Sequence, residues 1–125
     1  MVFIVILAVL ASGCSSGMKP GRTYPSVTFD APAPYQEVHR RAVSNIRTCA
    51  PSMIISDDLY TDTRAGSVRT YYPASSQYDF VRISFAAVTD ATTAVEISAM
   101  DEGVFDRRMI EAIKSSLISG TNVCR

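Results

Sequence analysis

The stretch Tyr78–Ala99, YDFVRISFAAVTDATTAVEISA, decides the fold. Val81, Ile83, Phe85 and Ala87 alternate with polar Arg82 and Ser84, and Val95, Ile97 and Ala99 alternate with Glu96 and Ser98. A period of two places the apolar set on one face of a strand and the polar set on the other. The polar turn Thr89-Asp90-Ala91 between the two runs makes them an antiparallel hairpin. Strands apolar on one side belong to a sheet covered on that side only.

Towards the amino end, Met53–Tyr60 and Ser67–Tyr72 read as two more strands, joined by the turn Asp62-Thr-Arg-Ala-Gly66. Before them, Tyr35, Val38, Ala42, Ile46 and Cys49 recur at spacings of three and four, the stripe of an amphipathic helix that ends before Pro51. Glu37, Arg40, Arg41 and Arg47 occupy its outer face, and Pro34 suits its first turn. Val27 and Phe29 mark a short strand ahead of the extended connector Asp30–Pro34. Towards the carboxyl end, Met109, Ile110, Ile113 and Leu117 predict a second helix over Asp106–Ser119, closed by Gly120. The order is β-α-β-β-β-β-α. Two helical stripes and one half-apolar sheet cover each other, so the fold expected is α+β: a two-layer sandwich with an antiparallel sheet of four to five strands under two helices.

Composition sets the bounds. A chain of 125 residues, 47% hydrophobic and 19% charged, holds one domain, placed at 24–125, and is too apolar to be disordered. Twelve Lys+Arg balance twelve Asp+Glu. That neutrality gives no overall electrostatic footprint for nucleic acid or for an anionic surface.

Val2–Ala11, VFIVILAVLA, is an unbroken apolar run too short for a bilayer and of the length of a signal-peptide core. Small residues Ser12 and Gly13 follow, then Cys14. Leu10-Ala11-Ser12-Gly13-Cys14 resembles the lipobox of bacterial lipoproteins. The resemblance implies cleavage of a signal peptide at 1–13 and lipidation of Cys14. Ser15, rather than Asp, after the cysteine implies the outer membrane, with the domain facing the periplasm. Two departures stand: Ala11 where Leu is commoner, and no Lys or Arg before the apolar run. Multiple acyl chains anchor durably without a transmembrane helix. Residues 14–23 are then the lipidated cysteine and a Ser/Gly/Pro-rich flexible linker. In outline the domain is similar to the small helix-on-sheet domains of several envelope lipoproteins, a likeness of element pattern only.

Cys49 and Cys124 remain, and export carries them to an oxidising space where thiols pair. Strict counting through four meander strands makes the two helices antiparallel and their carboxyl ends distant, whereas bridged cysteines need Cα atoms within about 7 Å. A tail folding back, or helices running parallel, would reconcile the two. No metal-ligand spacing occurs, and a metal or other cofactor is not expected.

Candidate site residues are sparse. His39 reads as a half-exposed surface histidine, and Asp57, Asp58 and Asp62 as a solvated strand end and turn. Ser16-Gly-Met-Lys19 fits the Ser-x-x-Lys pattern of some acyl enzymes, but in a tether without a partner motif it reads as coincidence. Tyr71 and Tyr72 point to opposite faces, so one of them leaves the core. With Tyr78, Arg69 and Arg82 they form a possible partner surface. The expectation is a lipid-anchored, non-catalytic envelope domain that binds a protein or wall partner, or serves a larger assembly. A small-ligand module using a groove, and a small periplasmic enzyme, are the alternatives.

Overall fold

A computed structural model describes residues 17–73 and 78–125. The expected signal peptide, Cys14 and Ser16 lie outside them. The elements are β1 (Ser26–Ala31), α1 (Tyr35–Cys49), β2 (Ile54–Tyr60), β3 (Ala65–Tyr71), β4 (Val81–Ala87), β5 (Thr93–Ala99) and α2 (Arg107–Ser119). All five strands form one antiparallel sheet in the order β1-β5-β4-β3-β2. The α+β sandwich expected from the alternation is the architecture observed. Strand β4 begins at Val81 rather than Tyr78, because Phe80 turns into the core and packs against Tyr72 and Phe105, at 5.1 Å from each ring.

Register explains the core. Val27, Ile97, Ile83 and Val68 lie in one cross-strand row, and Phe29, Val95, Phe85 and Gly66 in the next. Ile83, Ile97 and Val68 are fully buried, as are Val38 of α1 and Ile113 and Leu117 of α2. Each such side chain contributes about 1.5–3 kcal/mol by leaving water. Gly66 has a local reason. A Cβ there would stand 2.5 Å from the Asp58 carbonyl and 2.7 Å from the Phe85 ring, which fills the vacant space.

Each helix is terminated as its sequence suggests. Tyr35 opens α1 one residue after Pro34, which stands at the cap with ψ 153. Asp106 caps α2, accepting from the Met109 amide at 3.1 Å; that bond, with Arg125 nearby, holds its carboxyl below the ordinary range. Gly120 ends α2 in the left-handed conformation at φ 77. Over it lies the Arg41 guanidinium of α1, donating to the Leu117 carbonyl at 2.9 Å, a cation at the negative end of the helix dipole.

That contact fixes the helix directions. Arg41 meets the carboxyl end of α2, while Cys49 and Ala50, at the carboxyl end of α1, lie with Phe105 and Met109 at the amino end of α2, so the helices are antiparallel, as counting through the meander requires. The tail supplies the reconciliation. After Gly120 it doubles back along the helices, and Arg125 reaches Asp106 at the other end of α2, at 3.1 Å. Cys124 is thereby delivered to Cys49, with Cα atoms 5.1 Å apart across a sequence separation of 75. Buried Asn45 holds the reversal in place, donating to Ser116 Oγ at 2.9 Å and to the Val123 carbonyl at 3.1 Å, while the Val123 amide donates to Ser116 Oγ at 2.8 Å.

Candidate functional site

The face of the sheet opposite the helices is open, and the register arranges its side chains in rows. Ile54 pairs with Tyr71 at one end. The next row is Ser56, Arg69, Arg82, Ser98 and Ser26; then come Asp58, Ser67, Ser84, Glu96 and Thr28; the last row runs from Tyr60 through Ala65, Ala86 and Ala94 to Asp30. Both arginines therefore stand at one end of the face, and its carboxylates in the two rows beyond.

The arginine row is organised by Asp79, which is 5% exposed. Arg82 Nε donates to its Oδ2 at 2.9 Å, and Arg69 Nη1 lies 3.6 Å from its Oδ1. Arg69 also donates to Ser56 Oγ at 3.1 Å. A buried carboxylate persists only when paired, so Asp79 holds both cations at the sheet surface. Their outer parts remain in water, with side chains 42% and 51% exposed.

Part of the Ser/Gly/Pro-rich stretch is seated on this corner. Met18 is buried, and its amide donates to the Asp79 carbonyl at 2.7 Å. Gly17 (φ 112) passes so close to Tyr78 that a Cβ would stand 2.8 Å from the Tyr78 Cβ. The Lys19 amide donates to Tyr24 Oη at 2.6 Å, which closes the segment into a loop. Residues 17–24 thus form a strap. Between strap and sheet is a shallow hollow whose charged lining consists of Lys19, Arg22, Arg69, Arg82 and Asp79.

The residues expected to form a partner surface separate. Tyr71, Arg69 and Arg82 share the open face, and Tyr78 lies beside the strap. Tyr72 instead packs on the core side, edge-on to Phe80 and to Phe105. Sequence reasoning missed Asp79, Arg22 and Tyr24, and set Lys19 aside with the Ser-x-x-Lys pattern. The one available signal was Met18, an apolar residue stranded among Ser, Gly and Pro.

On the helix side, His39 Nε2 lies 2.7 Å from Asp57 Oδ2, which ties α1 to the edge strand β2. The pair lines a hollow together with Arg40, Val43, Ser44, Arg47 and Thr48, and the two hydroxyls there, of Ser44 and Thr48, each accept from the Asn122 side chain at 3.2 Å. Asp58 and Asp62 are exposed. Glu37, bonded to Arg40 and Arg41, has its carboxyl lowered to about 2, chiefly by the Arg40 hydrogen bond. Among the described residues no three His, Cys, Asp or Glu gather as metal ligands, and no helix is long and apolar enough to cross a membrane.

Comparison with protein-family models finds no match, and comparison with curated protein sequences finds none either.

Proposed function

We propose that this chain is an exported lipoprotein, anchored through Cys14, whose α+β domain is a non-catalytic binding or accessory module of the bacterial envelope. The observation that carries the reading is the Cys49–Cys124 bridge. Its cysteines meet only because the tail reverses and is held by Asn45 and Ser116, a dedicated arrangement that suits an oxidising compartment. The apolar run and Leu10–Cys14 supply the export and anchoring signals in the same chain. The open sheet face, with Tyr71, Arg69 and Arg82 aligned on it, is the surface offered to an envelope component at the outer membrane, on the periplasmic side.

Replacing Cys14 by Ser tests this reading. The variant is expected to keep the bridge and the fold but to leave the membrane fraction, with no fatty adduct by intact-mass spectrometry. Persistence of Cys14→Ser in the membrane fraction overturns the anchor. Labelling of unfolded, unreduced protein is expected to find neither Cys49 nor Cys124 free.

A further inference from the structure

We infer that the strap end of the open sheet face is a membrane-docking surface that takes the phosphate groups of lipid headgroups. The inference rests on the proposed lipidation of Cys14 and adds an orientation to it. Gly17 and Met18 are fixed on the domain by the Asp79 carbonyl and by the close approach to Tyr78. Only Ser15 and Ser16 stand between Cys14 and that fixed point. Three residue steps reach roughly 11 Å when fully extended. A lipidated Cys14 therefore keeps this corner at headgroup distance, rather than leaving the domain on a loose leash.

The chemistry of the corner matches what it would meet. Lys19 and Arg22 on the strap and Arg69 and Arg82 on the sheet face the same hollow, against a single carboxylate, Asp79, which is buried and already paired with the two sheet arginines. The open-face carboxylates Asp58, Glu96 and Asp30 lie in the rows farther from the strap. Asp101 and Glu102, at the same end of the sheet, belong to the β5–α2 connection, which leads to the helix layer, and neither lines the hollow. The balanced charge of the whole chain thus hides an uneven distribution along this face. Ile54, 38% exposed, and Tyr71 flank the arginine row on the far side from the carboxylates. An aliphatic and an aromatic side chain beside cations suit the boundary between headgroups and acyl chains. Each cation near an anionic surface strengthens docking by about fivefold, and the attraction fades within a Debye length, so it acts only because the anchor is short.

The test uses the full lipidated protein on vesicles of phosphatidylethanolamine with brominated phosphatidylglycerol. A fluorophore is placed either at Thr23→Cys, on the strap, or at Asp90→Cys, in the β4–β5 turn at the opposite end of the sheet. Strong quenching at 23 with little at 90 is expected, and added salt is expected to reduce it. Lys19→Gln combined with Arg22→Gln leaves the Asp79 pairing intact and is expected to lower the docked-to-undocked ratio by roughly tenfold or more. Equal quenching at both positions, or quenching at neither while the protein still floats with the vesicles, overturns the docking surface. Failure of the protein to float overturns the anchor at Cys14 instead.

Discussion

The segments that flank the sandwich, the strap before β1 and the tail after α2, both fold back over it, and they are held in opposite ways. The tail is solvent-exposed along residues 118–125, yet it is fixed by the Cys49–Cys124 bridge and by the bonds of Asn45, Ser116 and Arg125. The strap buries Met18 but has no cross-link among the described residues; one backbone bond, from the Met18 amide to the Asp79 carbonyl, ties it to the sandwich, and the Lys19–Tyr24 bond closes it on itself. Exposure and fixity are therefore separate properties here. A tail locked by chemistry survives changes at the surface, whereas a strap seated by packing can respond to what lies beside it.

The comparison can be broken at four points. The largest effect is expected from Cys49→Ala with Cys124→Ala. Freeing a loop of this length costs about 4 kcal/mol on the chain-entropy account, read as a lower urea midpoint that reductant reproduces in the parent protein. An unchanged midpoint would show that the tail is no lock. Next comes Asn45→Ala, expected to cost about 2 kcal/mol because a buried side chain gives up its bonds to Ser116 Oγ and to the Val123 carbonyl. Combined with Ser116→Ala the loss should be less than additive, which a double-mutant cycle reads directly.

On the strap, Gly17→Ala meets both a positive φ and Tyr78, and is expected to cost about 1 kcal/mol. Hydrogen exchange should then show lost protection at the Met18 amide while β4 and β5 keep theirs. Equal loss across the sheet would mean that the strap belongs to the core. The smallest effect is acid sensitivity through Glu37. Its native value of about 2 lies below its ordinary 4.5, so its contribution is complete above that ordinary value and is lost as pH falls towards 2. Glu37→Gln should flatten this part of the stability–pH curve, and any remaining effect at Arg41 would be felt where that residue caps α2.

The layers were legible because alternation and the three-four stripe report burial directly. Val81 to Ala87 and Val95 to Ala99 carry the covered face in plain view, and Tyr35 to Cys49 carry the helix. What escaped was whatever depends on polar atoms meeting across long separations. Asn45 and Ser116 look like ordinary polar helix positions, and their bond decides how the tail runs. His39 and Asp57 are 18 residues apart and meet only after β2 takes its place beside α1. Asp79 gives no sign of burial in sequence, because its two arginine partners are supplied by strand register. The corner carrying the candidate surface was therefore half visible: Arg69, Arg82, Tyr71 and Tyr78 stood out, but the strap that completes it did not.

The placement of β1 has a consequence for the order of assembly. Among the described strands its one neighbour is β5, and Val27 waits for Ile97, 70 positions along the chain. Within the meander from β2 to β5 no connection exceeds nine residues, whereas β1 closes the longest loop in the sheet, the slow kind of step in folding. A chain synthesised from its amino end thus completes last, at β1, the strand nearest its own beginning. In a lipoprotein that edge would be seated while already hanging from the bilayer.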